Sequence, residues 1–271
     1  MLKQRVLTAL ALLPIAIGGF FFLENAWFAA FIGLVVTLGA WEWARLSGLV
    51  SQAARAAYAL FLAMLLWICW SLPQLALALL PVAAAWWIFA TVLVITYPST
   101  AHYWKASWRR LLMGGAILIP AWQGLVLLKQ WPLGNWLILS VMVLVWVADI
   151  GAYFSGRAFG KRKLAPHVSP GKSWEGLVGG LLASLVMTLG VGLYRGWDAD
   201  AMVKAVIGAT VVVLISVVGD LTESMFKRKA GLKDSSQLLP GHGGVMDRID
   251  SLTAAVPVFA VLLWWSGWGV M

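Results

Sequence analysis

Runs of about 20 apolar residues recur along this chain, and that recurrence limits what it can fold into more than any other feature. A helix of about 20 apolar residues crosses the hydrocarbon layer of a bilayer. Nine such runs can be drawn, at 7–23, 27–46, 55–72, 74–96, 109–128, 134–156, 175–194, 203–225 and 252–268. The expected fold class is therefore all-α, a polytopic integral membrane protein with about nine transmembrane helices. Composition agrees. Of the 271 residues, 62% are hydrophobic and 11% charged, with a mean hydropathy of +0.87. A soluble domain carries about 25% charged residues, so this chain lacks the polar surface to cover itself in water. Its 18 tryptophans suit the membrane–water interface, with some packed between helices.

The N-terminal "MLKQRVLTALALLPIAIGGFFFL" has the basic start and apolar core of a signal peptide, but it is long enough to span. We read it as a retained first helix. The single cysteine, Cys69, lies inside an apolar run; it excludes an intrachain disulfide and reads as a small packed residue. A single membrane domain, 1–271, is expected, in which 1–140 carries no assignable motif and 141–271 carries the catalytic helices and loops.

Orientation follows from the basic residues, which favour cytoplasmic loops. With the N-terminus in the cytoplasm, 17 of the 20 Lys and Arg fall on that side, and only Lys129, Arg195 and Lys204 fall outside. The C-terminus is then outside. Ten of those 17 lie in two loops, 157–174 and 226–250.

Acids flank the same loops. Asp149 lies near the end of span six, Asp220 and Glu223 near the end of span eight, and Asp247 and Asp250 at the start of span nine. Each three-residue spacing places two carboxylates on one helical face. A carboxylate in a bilayer costs several kcal/mol unless paired or hydrated, and such residues usually mark a function. One acid could simply pair with an arginine. Five from three helices at one membrane face point to a site. Oxygen-only clusters suit hard cations such as Mg²⁺, and Lys and Arg suit phosphates. Together they outline a phosphoryl-transfer site.

Gly241, Gly243 and Gly244 in "PGHGG" allow unusual backbone angles and close ligand approach, against the simpler reading of an ordinary turn. His242 reads as a ligand, a phosphate donor or a loop hydrogen-bonder. His102 and His167 have no partners at metal-ligand spacing. "SPGKS", 169–173, imitates the end of a P-loop, but Pro166 stands where its first glycine belongs and no strand is expected before it.

The segment "SMFKRKAGLKDSSQLLPGHGGVMDRID", 224–250, resembles the signature of the phosphatidate cytidylyltransferases, or CDP-diacylglycerol synthases. Ser224, Lys227, Arg228, Lys233, Asp234, His242, Gly243, Gly244, Asp247, Arg248 and Asp250 each match the pattern. A second block, "DIGAYFSGRAFGKRKLAPHVSPGKSWEG" at 149–176, is similar to the family's other polar segment. Ser173 stands there in place of threonine and keeps the hydroxyl. About half the chain carries the resemblance.

The resemblance implies the reaction CTP + phosphatidate → CDP-diacylglycerol + pyrophosphate, with Mg²⁺ as cofactor and room for a second cation. CTP, phosphatidate and membrane lipids are the implied partners; no nucleic acid is, and a homodimer stays open. Asp220 and Asp247 are expected as metal ligands, with Asp250 and Glu223 in reserve. Lys172, Lys233 and Arg248 join Asp220 and Asp247 in the expected catalytic set. Ser169, Ser173, Glu175, Ser224, Lys227, Arg228, Asp234, His242, Gly243 and Gly244 are expected at the substrates, and Asp149 with Glu175 is expected to orient the cations. The expected location is the inner membrane, with the site facing the cytoplasm. The alternatives are another lipid-modifying nucleotidyl- or phosphotransferase, such as a polyprenol kinase, and an ion-coupled transporter whose acids carry protons or Na⁺.

Overall fold

A computed structural model of the chain describes residues 2–267. Nine α-helices account for most of them: α1 Leu2–Ile17, α2 Asn25–Leu46, α3 Gln52–Ser71, α4 Pro73–Ile95, α5 Ser107–Gln130, α6 Gly134–Phe159, α7 Trp174–Arg195, α8 Ala199–Lys229 and α9 Met246–Ser266. A π-helical turn, Gly18–Phe22, continues α1. Helices α2 to α9 are long and apolar enough to cross a membrane. The first differs from expectation: its apolar part, Leu10–Phe22, is shorter than the other eight. Basic and polar residues open α1 and Pro14 interrupts it.

The all-α expectation holds apart from one small hairpin among the described residues. Strands β1 Lys163–Ala165 and β2 Ser169–Ser173 pair antiparallel between α6 and α7, with Lys163 opposite Ser173 and Ala165 opposite Ser169. The "SPGKS" segment is therefore itself extended, where a loop was expected. Helix α8 also runs further than its apolar core, over 31 residues and roughly 46 Å. Its last turn holds Lys227, Arg228 and Lys229, cations that suit a helix C-terminus.

Packing follows residue size. The two most extensive contacts are α6 on α7 and α8 on α9. Small residues line the first seam: a side chain on Gly180 would come within 2.5 Å of the Ala148 carbonyl oxygen. With lipid outside as apolar as leucine, close backbone approach of this kind is what holds membrane helices together. Along the second seam, a Cβ on Gly219 would stand 2.7 Å from the Asp250 carbonyl oxygen.

One end of the bundle gathers the hairpin, the α8–α9 loop and the connections after α2 and α4. Beneath them lies a buried aromatic cluster, in which the Phe226 ring centroid is 4.6 Å from Trp43 and 4.8 Å from Trp104. The Trp43 indole donates to the Arg110 carbonyl oxygen at 2.8 Å, tying α2 to α5. At the opposite end, Lys129 pairs with Glu24 at 3.3 Å and donates to Asn135 at 2.5 Å.

Candidate active site

The hairpin carries the first cation of the site. Its turn closes through Val168 N–H to the Ala165 carbonyl, and Trp174 N–H donates to the Arg162 carbonyl. Glu175, in the first turn of α7, accepts the backbone N–H groups of Lys161 and Arg162 at 3.1–3.3 Å. Its carboxylate therefore clamps the chain entering the hairpin. Ser173 caps α7 by accepting the Gly176 N–H at 3.1 Å. Arg228 on α8 donates to the Val168 carbonyl at 3.2 Å and seats the hairpin against the end of that helix.

So held, Lys172 meets Asp220, with Nζ to Oδ2 at 2.5 Å. The pair opens on a cleft of about 240 Å³ between α6, α7, α8 and the hairpin, which Asp149, Ser173 and Gly176 also line. Asp149 lies within electrostatic reach of both members of the pair.

Helix α8 presents Asp220, Glu223, Ser224 and Lys227 at the i, i+3, i+4, i+7 spacing of a single face. Ser224 Oγ donates to Asp220 Oδ1 at 3.2 Å. Lys227 Nζ lies 2.9 Å from Glu223 and 2.7 Å from Asp247, and all three side chains are nearly buried. A buried charge without a partner is costly; here two carboxylates share one ammonium.

Asp247 is more heavily engaged than a free ligand would be. Beyond Lys227 it accepts the Ser235 N–H, the Ser235 hydroxyl at 2.8 Å and the Gly244 N–H at 2.7 Å. It therefore binds the α8–α9 loop to α8. Asp250 has its Oδ1 on the Ser251 N–H at 2.8 Å and interacts electrostatically with Asp220 and Glu223.

The "PGHGG" segment is a tight turn. Leu239 bridges Gly243, and the His242 N–H donates to the Leu239 carbonyl at 2.8 Å. Gly243 has φ +82°, and a Cβ there would stand 2.7 Å from Asp247 Oδ2; on Gly244 it would fall 2.0 Å from Ser235 Oγ and 2.4 Å from Glu42 Oε1. These glycines admit neighbouring side chains, so the structure gives them a packing role. His242 Nδ1 is buried without a partner. Lys233, Asp234 and Arg248 are exposed around the loop, and Ser169 is half-buried at the start of β2.

The donor set suits a hard cation. All the acids supply oxygen, and the buried Glu223 Oε1 has no hydrogen-bond partner. Among the described residues no three His, Cys, Asp or Glu converge as a ready metal cage. Mg²⁺ commonly needs only one or two carboxylates, with substrate phosphates completing its shell, so Asp220 with Asp250 or Glu223 is a sufficient protein contribution. Asp247, the other expected ligand, already accepts from Lys227, Ser235 and Gly244.

Sequence reasoning missed Glu42. On α2 and fully buried, it accepts the Ser236 and Ser235 hydroxyls and the backbone N–H groups of Val245 and Met246. Its partners lie some 190–200 positions away, and no spacing rule reaches that far. An ionisable residue inside an apolar span was the available signal.

Comparison with known proteins adds to this geometry. Residues 3–266 match the model described as "Cytidylyltransferase family". A Pseudomonas aeruginosa protein named phosphatidate cytidylyltransferase is 70% identical over 269 residues, 99% of each chain. One of the same name from Haemophilus influenzae is 45% identical over 284 residues, covering 96% of this chain and 98% of its own. A Staphylococcus aureus protein so named is 42% identical over 127 residues, 46% of this chain and 48% of its own.

Proposed function

This chain belongs to the cytidylyltransferase family, and from that premise we propose that it transfers CMP from CTP to phosphatidate, giving CDP-diacylglycerol and pyrophosphate in phospholipid synthesis. The observation that carries this reading is the 70% identity, across 99% of both chains, to a protein named for that activity. The kinase and transporter alternatives are set aside by the same match.

The site suits the chemistry. The phosphate of phosphatidate is the nucleophile; with a second pKa of about 6 it is largely dianionic at neutral pH, so it needs little help from a base. One of its oxygens bonds to the α-phosphorus of CTP, the α–β anhydride bond breaks, and pyrophosphate leaves with the bonding pair. The obstacle is the mutual repulsion of two polyanions. Lys172, held by the hairpin beside the cleft, and the exposed Arg228, Lys233 and Arg248 offset that charge and orient the phosphates. Lys227 stays with its two carboxylates and keeps α8 and α9 in register. Asp220, with Asp250 or Glu223, would hold Mg²⁺, which supplies Lewis-acid neutralisation of the phosphate oxygens when bound. Ser224 orients Asp220 through their hydrogen bond.

We place this end of the bundle at the cytoplasmic face of the inner membrane. The basic residues collect there, CTP is cytosolic, and the lipid phosphate lies at headgroup depth. The direct test is purified protein with α-labelled CTP and phosphatidate. Label should move into CDP-diacylglycerol with equimolar pyrophosphate, stop on chelation and resume with Mg²⁺. Release of free CDP without a CDP-lipid would refute the reading.

A further inference from the structure

The buried carboxylate of Glu42 has no task in the transfer chemistry above. It is 0% exposed, inside α2, in the half of the chain where the sequence offered no motif. Such a group is tolerated in a low-dielectric interior only when its lone pairs are filled. They are filled entirely from the α8–α9 segment. Oε1 accepts the Ser236 hydroxyl at 2.5 Å and the Val245 N–H at 3.0 Å, and Oε2 accepts the Met246 N–H at 2.7 Å and the Ser235 hydroxyl at 3.3 Å. One turn further along α2, Arg45 donates to the Ser235 carbonyl at 3.2 Å.

Val245 and Met246 open α9, where helical N–H groups lack intrahelical acceptors and carry partial positive charge. Val245 itself provides no side-chain cap. Glu42 supplies that cap from another helix. The single Ser235 hydroxyl proton is shared between Glu42 Oε2 and the nearer Asp247 Oδ2 at 2.8 Å, the Ser235 N–H also donates to Asp247 Oδ2 at 2.9 Å, and Asp247 in turn holds Lys227. A continuous chain of bonds thus runs Glu42–Ser235–Asp247–Lys227–Glu223, from α2 through the loop and α9 to α8. Gly244 is what lets the chain close, because any side chain there would overlap both Ser235 and Glu42.

We infer that Glu42 is a positioning residue for the cytidylyl-transfer site: it fixes the α8–α9 loop and the first turn of α9, and so sets the placement of Asp247 and Asp250 relative to the α8 face. The inference rests on the transferase reading above. It assigns the N-terminal half a part in the reaction through one carboxylate, without contact with either substrate.

The test uses full-length protein in detergent, scored as turnover per folded, monodisperse molecule. Glu42→Ala should lower kcat at least about tenfold, and Glu42→Gln, which keeps the volume but replaces two acceptor lone-pair sites with donors, should fall between it and wild type. Ser235→Ala with Ser236→Ala should lower kcat alone yet cost little more in the Glu42→Ala background, because both routes cut one chain of bonds. A group that only stabilises the fold would reduce the yield of folded protein and leave kcat per folded molecule unchanged. That result, in Glu42→Gln or in the serine pair if Glu42→Ala does not fold, overturns the inference. Fully additive losses overturn it too. Inactivity of the wild type itself would instead count against the transferase reading, so the two failures are distinct.

Discussion

Lys172 and Asp220 meet at 2.5 Å, joining a strand of the hairpin to the first residue of the polar face of α8. Neither residue is buried, each being 27% exposed, so the pair can open toward an incoming phosphate without stranding a charge in a dry interior. Lys172→Met should therefore insert and fold, and should lose kcat/KM for CTP by at least about tenfold, a charge-assisted contact being the stronger kind. Steady-state kinetics with varied CTP check this; an unchanged kcat/KM would remove Lys172 from the phosphate site.

Lys227 behaves differently because its partners are dry. Glu223 and Asp247 are 2% and 6% exposed, and removing their shared ammonium leaves two uncompensated carboxylates. Breaking a buried pair this way costs about 3–5 kcal/mol. Lys227→Met should lower the unfolding midpoint in detergent markedly, whereas Lys172→Met should barely move it. Equal midpoints for the two variants would contradict the assignment of Lys227 to the fold.

The glycine turn makes a steric prediction. Gly244→Ala puts a methyl 2.0 Å from Ser235 Oγ and 2.4 Å from Glu42 Oε1, so the loop must move. Activity should fall by about tenfold or more, and the loop should become cleavable by added protease. Gly190→Ala on α7, with open space around its Cβ, is the matched control and should be silent in both assays.

Sidedness can be read by labelling. With Cys69 replaced by alanine the chain has no thiol, so single cysteines report position cleanly. Lys161→Cys, before the hairpin, should react with an impermeant maleimide only from the cytoplasmic side. Arg195→Cys, at the end of α7, should react only from the other. The reverse pattern would overturn the charge-based orientation.

The helices were legible because lipid imposes length: about 20 apolar residues is a demand no loop satisfies. The hairpin was not, because three- and five-residue strands of mixed polarity, "KLA" and "SPGKS", show no period. The extra turn of α8 was hidden by its charges, which end the apolar run at a membrane boundary while the helix continues. At the site, the face of Asp220, Glu223, Ser224 and Lys227 could be read from spacing. Which acids were already spoken for could not: Asp247 looks as free as Asp250 until Ser235, Gly244 and Lys227 are seen on it. Glu42 escaped for the same reason, since its partners become neighbours only when α2 packs under the loop.

The role of Asp220 is central, for this carboxylate joins the Lys172 pair, the Ser224 hydrogen bond and the proposed cation. The measurement that tests it is transfer of label from α-labelled CTP to phosphatidate by purified Asp220→Asn with saturating Mg²⁺, beside wild type at equal folded concentration. Loss of at least about a hundredfold in kcat, with folding and membrane insertion preserved, is the predicted result. Turnover within a few-fold of wild type would contradict the claim that this carboxylate organises the reaction.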